Sequence, residues 1–232
     1  MSMLAALCEG LPLLGLDINE ETAKQLCAFG EAVVEQNKVM NLTAITEPDK
    51  VARLHLLDSL TLLTLEELKG KKVIDVGCGA GFPGVPVKIA CPETKLTLLD
   101  SLGKRMKWLE TILPQLGVDA ECVTARAEEA ISSRREQYDI ATSRAVARLN
   151  ILLELTAPYV KVGGKVLAMK GTAAQEELDE AKNAISKLGL QLERVVQFPI
   201  EDTAHTVIVL KKVRPTPPQY PRAYAKIKKS PL

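Results

Sequence analysis

Residues 73–84 read V-I-D-V-G-C-G-A-G-F-P-G, an apolar run that ends in closely spaced glycines. The pattern predicts a strand that turns directly into a helix. Gly77, Gly79 and Gly81 would let the backbone turn sharply and come close to a ligand, and Pro83 suits the first turn of the following helix. The same letters spell G-x-G-x-x-G at Gly79, Gly81 and Gly84, with an acid, Asp100, near the distance expected of a dinucleotide fold. The loop alone therefore leaves a nicotinamide cofactor open. Asp75 speaks against it. A carboxylate at the end of the first strand would oppose a pyrophosphate and favour a cationic ligand that carries an ammonium and a sulfonium.

S-adenosylmethionine is such a ligand. Asp100 closes the next strand, where its two oxygens could take both ribose hydroxyls, and Ala127 and Glu128 follow the third strand at the same edge, where adenine could pack. One such acid would ordinarily be a surface carboxylate capping a helix. Three acids at successive strand ends around a glycine loop favour a cofactor site. Arg126 and Arg144 sit at the same rim, and a guanidinium suits a phosphate or guanine O6. The plainer role for either is an ion pair with Glu128 or Glu129. His55 and Asp58, three residues apart, are expected to touch on one helix face and pack the amino-terminal segment onto the sheet. Asn41 is placed at the mouth of the site as a turn or capping residue. Trp108 is expected in the core, while Lys104, Arg105 and Lys107 either steer phosphate or form a solvated face.

The elements that must hold these residues follow from periodicity. Residues 17–38 predict an amphipathic helix with a capping box from Asp17 to Glu20, and a second helix is expected from an N-cap at Thr46 to a stop at Gly70. Strands are expected at 72–76, 95–100, 119–124, 138–142, 164–169, 191–198 and 205–212, with helices between them. This alternation predicts a mostly parallel seven-stranded α/β sheet covered on both faces, with an antiparallel last strand. The expected organisation is a helical lobe over 1–70, a cofactor-binding domain over 71–213 and a tail over 214–232. That tail, with five prolines and no acid, is expected to be extended or disordered.

With 232 residues and 47% hydrophobic content, the chain can bury a core of its own. Thirty basic residues against 29 acidic ones exclude a protein coated in positive charge. Seven cations nevertheless fall in the last 22 residues, beside Tyr220 and Tyr224, so the tail is a candidate RNA contact. Five scattered cysteines without metal-ligand spacing predict a reducing cytoplasm and no metal site. No stretch has the ~18 uninterrupted apolar residues of a membrane helix. A soluble, monomeric protein is expected.

Several stretches together resemble one family. NKVMNLTAI at 37–45, HLLDSL at 55–60, DVGCGAGFPG at 75–84, LLDSLGKRMKWL at 98–109, RAEE at 126–129, SRAVA at 143–147 and the basic, proline-rich tail are similar to the small-subunit ribosomal RNA guanine-N7 methyltransferases, also called glucose-inhibited division protein B. The resemblance implies a class I S-adenosylmethionine-dependent methyltransferase with a Rossmann-like fold. It also implies cofactor contacts at Gly77, Phe82, Asp100, Ala127, Glu128 and Arg144, and methyl transfer to a guanine in the 530 loop of 16S rRNA. The chain departs from the family pattern at Leu54 and Ala204, where arginine is expected before each histidine; Arg53 lies one position away.

The chemistry so implied is undemanding in protons. Guanine N7 has a free lone pair and no hydrogen, so it needs neither a general base nor a covalent enzyme intermediate. In-line positioning alone can supply roughly 7 to 11 kcal/mol. Consistently, ATSRAV after the fourth strand holds neither the N-P-P-Y of an adenine-amine enzyme nor the P-C of a cytosine-C5 enzyme, and Cys78 and Cys122 are read as apolar fillers. A nicotinamide-dependent oxidoreductase, disfavoured by the lack of a Y-x-x-x-K pair, and a non-catalytic RNA-binding module remain the alternatives.

Overall fold

Seven strands, β1 (Lys72–Val76), β2 (Lys95–Asp100), β3 (Glu121–Thr124), β4 (Tyr138–Arg144), β5 (Val160–Lys170), β6 (Leu190–Ile200) and β7 (Thr203–Lys212), form one sheet in the order β3-β2-β1-β4-β5-β7-β6. The structure is a computed structural model and describes residues 1–201 and 203–232. Every strand is parallel except β7, which runs antiparallel between β5 and β6. The expected strands are all present, β4 to β7 with longer ends and β3 shorter, beginning at Glu121 rather than at 119. The order reverses at β1, flanked by β2 and β4, so the crevice beyond the carboxyl ends of these strands is the natural ligand position of such a sheet.

Side chains leave a strand alternately to its two faces, and this alternation sorts the core. Val73, Leu98, Ile140 and Leu167 join one cluster, whereas Ile74, Leu99, Ala141 and Ala168 join the other. The first cluster is closed by the amino-terminal helices α1 (Met3–Gly10) and α2 (Glu20–Asn37), by the helix over 48–65, and by α5 (Gly84–Ala90) and α6 (Gly103–Gln115). The second is closed by α7 (Ala127–Ala130), α8 (Leu149–Thr156), α9 (Ala174–Glu180) and α10 (Lys182–Lys187). Burial on both faces is why the central strands read as unbroken apolar runs.

The helix limits differ from expectation for local reasons. Asn19 caps α2, its Oδ1 accepting from the Thr22 amide at 2.8 Å, because Asn19 and not Asp17 stands next to the first helical residue. Pro48 forces its predecessor out of the helical region, so the N-cap falls on Glu47 rather than Thr46. The segment from Pro48 runs as α3 (Pro48–Val51), a π-helical stretch (Ala52–Leu57) and α4 (Asp58–Leu65). It ends at Leu65, and Gly70, at φ 72°, makes the later turn into β1.

The tail is not a free arm. Lys212 is fully buried and donates to the carbonyls of Ala157 (2.7 Å) and Val160 (3.1 Å) and to Thr216 Oγ1 (2.7 Å). Arg222 makes a forked pair with Glu154 on α8, Nε to Oε1 at 2.8 Å and Nη2 to Oε2 at 2.6 Å, and α11 (Tyr224–Lys229) buries Ile227. These anchors are polar and distant in sequence, so a search for an apolar period could not find them.

Candidate functional site

The loop after β1 wraps the carboxyl edge of the sheet. Gly77 (φ 71°), Gly79 (57°) and Gly81 (97°) occupy the left-handed region, which other residues rarely adopt. At Gly77 a Cβ would also fall 2.4 Å from Val146 Cγ2, whereas at Gly79 it would meet only Arg105 Nη1 at 3.8 Å, so Gly79 keeps the cleft open. Asp100 steadies the loop: Oδ2 accepts from the Gly79 amide and Oδ1 from the Leu102 amide, each at 2.9 Å.

Two adjacent hollows lie beyond the strand ends. One, of about 380 Å³, is lined by Asp100, Leu102, Arg126, Ala127, Glu128 and Tyr224. The other, of about 810 Å³, is lined by Gly79, Phe82, Arg144, His55, Asp58 and His205 among others. Gly77, Arg105, Ala145 and Val146 belong to both. A hydrogen-bond network fixes the larger hollow. Arg144, at the end of β4, donates through Nη1 to Asp58 Oδ2 (2.8 Å) and the Leu54 carbonyl (3.0 Å), and through Nη2 to His55 Nδ1 (3.1 Å). His205 Nδ1 donates to Asp58 Oδ1 at 2.9 Å. The guanidinium stands 5.1 Å from the centre of the Phe82 ring, on which His55 stacks at 4.8 Å.

These contacts set the charges. Burial alone would raise the Asp58 carboxyl, but the His205 bond and the Arg144 charge outweigh it and hold it below its ordinary value. Burial, reinforced by Arg144, depresses His55 to about 4, so its ring is neutral. His55 Nδ1 lies 3.1 Å from Arg144 Nη2, which can only donate, and 3.0 Å from the Leu54 carbonyl, which can only accept, so the neutral ring serves one of the two at a time; Nε2 lies 2.7 Å from Thr43 Oγ1. Cys78 is buried with its thiol driven well above the usual value by that burial, Sγ lying 3.7 Å from Met106 Sδ. It is a core filler. Among the described residues no cluster of three or more His, Cys, Asp or Glu could hold a metal ion.

The sequence profile of the GidB family, rRNA small subunit methyltransferase G, matches residues 22–206. The chain belongs to this family. It is 45% identical to ribosomal RNA small subunit methyltransferase G of Lactobacillus johnsonii, over 94% of this chain and 95% of that protein. It is 44% identical to the protein of the same name from Alkaliphilus oremlandii, with both chains fully covered. Among solved structures, a geranyl diphosphate methyltransferase in complex with GPP and sinefungin shares the fold at a TM-score of 0.58 and 12% identity, over 84% of this chain and 100% of that one. Pyrococcus horikoshii TYW2 in complex with MeSAdo gives 0.55 and 13%, over 67% and 61%. The fold is thus that of S-adenosylmethionine-dependent methyltransferases, and the oxidoreductase alternative falls away.

Within this family member, Gly77, Gly79, Phe82, Asp100, Ala127, Glu128, Arg126 and Arg144 all come to the two hollows. Three expected site residues do not. Asp75 is fully buried beneath the loop, where Oδ2 accepts from the Gly84 amide at 2.8 Å and Oδ1 has no partner among the described residues; burial lifts its carboxyl to about 7. It lines neither hollow. Gly81 is a packing glycine, where a Cβ would lie 2.7 Å from Val85 Cγ2. Asn41 is exposed and lends only its carbonyl, to Arg105 Nη2 at 3.3 Å; the loop is shaped instead by Asn37, whose Oδ1 accepts from the Leu42 (2.6 Å) and Thr43 (2.9 Å) amides.

Neither rim arginine pairs with Glu128 or Glu129 in the way expected of a surface ion pair. Arg144 is tied to Asp58, and the Arg126 guanidinium lies 5.9 Å from the centre of the Tyr224 ring. His55 and Asp58 are joined through Arg144 rather than directly. Arg53 is turned to ion pairs with Glu9 and, at 3.7 Å, Glu201, so it does not stand in for the arginine expected at 54. His205, Thr43 and the Lys170–Glu177 pair escaped the sequence reading as site residues. Only NLTAI, which contains Thr43, and the family pattern of an arginine before the histidine at 205 carried a hint of them, through family likeness and not through spacing.

Proposed function

We propose that the chain transfers the methyl group of S-adenosylmethionine to N7 of a guanine in the 530-loop region of 16S rRNA, acting as a cytoplasmic monomer on the RNA or the small subunit. Membership of the rRNA small subunit methyltransferase G family gives the reaction and the substrate class. The observation that carries the atom is the state of the cleft's ionisable groups. His55 is neutral with its ring nitrogens engaged, Asp58 is locked between Arg144 and His205, and the nearby thiol is buried. A cleft that spends its bases and nucleophiles on structure suits an acceptor that brings its own lone pair and loses no proton.

When bound, S-adenosylmethionine supplies an electrophilic sulfonium methyl. The chain's residues hold and orient. Each Asp100 oxygen uses one lone pair on a backbone amide and keeps another, so the carboxylate can accept both ribose hydroxyls. Gly77, Ala127 and Glu128 border the adenosine end, and Gly79 leaves room for the methionine end. Phe82, His55 and Arg144 form one rigid wall of the larger hollow, against which a guanine ring can stack. Arg144 shapes that wall through its three donations; an arginine clamped across O6 and N7 would block the reacting atom.

The test is to incubate the protein with methyl-labelled S-adenosylmethionine and small ribosomal subunits lacking the modification, then digest the RNA and separate the nucleosides. Label in 7-methylguanosine is expected. Label in any other nucleoside overturns the N7 assignment, and absence of label from all of them overturns the substrate.

A further inference from the structure

The carboxy-terminal segment passes beside the smaller hollow. Two anchors bring it there. Arg222 is fixed to Glu154, a carboxylate with no solvent exposure that also accepts from the Arg222 amide at 2.9 Å. Arg135 Nη2 donates to the Tyr220 carbonyl from the other side. Two residues beyond Arg222, the Tyr224 side chain lines the same 380 Å³ hollow as Asp100, Ala127 and Glu128. Its ring faces the Arg126 guanidinium at 5.9 Å and is only partly buried, so it retains apolar surface toward the space.

We propose that Tyr224 closes the nucleoside end of the cofactor cavity and packs against the adenosine moiety, which makes the carboxy-terminal segment a part of the cofactor site. The proposal rests on the reading that Asp100 and Ala127 border the adenosine end. Its physical basis is simple. A half-open hollow of nucleoside size needs an outer wall to exclude water, and an aromatic ring held by a cation at its rim provides a flat one at small entropic cost. The Glu154–Arg222 anchor sets where that ring stands, and Arg126 acts as its positioning partner rather than as a group in the chemistry.

The test uses the full chain with Tyr224→Ala, Tyr224→Leu and Tyr224→Phe, measuring calorimetric affinity for S-adenosylhomocysteine and for adenosine, together with methyl transfer at saturating cofactor. Tyr224→Ala should raise Kd for both ligands by about 10-fold, the scale of one lost base–aromatic stack, with kcat within about twofold of the parent. Tyr224→Leu keeps apolar bulk if the alanine variant folds poorly and should still weaken both ligands severalfold, while Tyr224→Phe should bind as the parent does. Unchanged affinity in the alanine and leucine variants would overturn the proposal, as would weakened S-adenosylhomocysteine with unchanged adenosine. Failure of the parent protein to bind either ligand would instead overturn the cofactor reading beneath it.

Discussion

Replacing Arg144 with methionine separates shape from charge in the cleft. The change keeps much of the side-chain bulk over Phe82 and removes the donors to Asp58 Oδ2, the Leu54 carbonyl and His55 Nδ1. Asp58, whose side chain is 8% exposed, then keeps only the His205 bond among those named, and a buried carboxylate stripped of its main counter-charge costs about 3–5 kcal/mol. Because His205 remains, the low end applies, about 3 kcal/mol, which for a chain of this size is a fall in Tm of about 6–12 °C. Without Arg144, burial dominates at Asp58 and its carboxyl rises above its usual value, so the folded state binds a proton more tightly than the unfolded one. The deficit should therefore shrink as pH falls. Adding Asp58→Asn removes the buried charge and should return at least half of the lost stability, while methyl transfer stays low in both proteins. Urea titrations of the parent, both single variants and the double variant give the cycle. A single-variant loss below about 1 kcal/mol, or a double variant no more stable than Arg144→Met, would refute the reasoning.

Asp75 and His55 should make opposing contributions to stability against pH. With its carboxyl raised from 3.8 to about 7, Asp75 stabilises the fold most at low pH and loses that contribution as pH rises through this window, whereas His55, lowered from 6.5 to about 4, loses its contribution as pH falls through the same range. Asp75→Asn should therefore steepen the rise of stability with pH between 4 and 6.5, and an unchanged slope in chemical denaturation would contradict it. Gly77→Ala places a Cβ at φ 71° and 2.4 Å from Val146 Cγ2, so it should cost at least about 1–2 kcal/mol and abolish measurable S-adenosylhomocysteine binding in calorimetry. Arg222→Ala leaves Glu154 buried without its partner and should destabilise by about 3–5 kcal/mol in urea unfolding, releasing the tail to protease.

The centre of the sheet was legible because β1 and β2 are buried along all but their first residue and write mostly apolar runs, KVIDV and KLTLLD, whereas the outer strands β3 and β6 are largely exposed and were read from their spacing. The glycine loop was legible for a different reason: three residues must occupy backbone conformations that side chains forbid, and only glycine does so cheaply. What stayed hidden was made by contacts between distant positions. Arg144 reaches Asp58 across 86 residues, His205 reaches it across 147, and Arg222 reaches Glu154 across 68. Asp75 shows the opposite failure, since its place in the motif suggested a ligand contact. The one-residue alternation that sends Ile74 and Val76 to one face turns Asp75 to the other, under the loop, where it holds the Gly84 amide.

The proposed attack by a free lone pair explains why His55 and Asp58 can be committed to structure at the cleft. A base must keep an open coordination position and a value near the working pH. His55 and Asp58 have neither, since their partners fix both geometry and charge state. What they secure instead is a wall made from three segments distant in sequence: the π-helical stretch over 52–57, the end of β4 and the hairpin strand that carries His205. Methyl transfer to a lone pair depends on distance and alignment, so rigid placement is where binding energy is best invested. On this view the polar network at Arg144 and the tail anchor at Glu154 answer the same need at opposite ends of the cofactor, one ordering the acceptor side and the other the adenosine side.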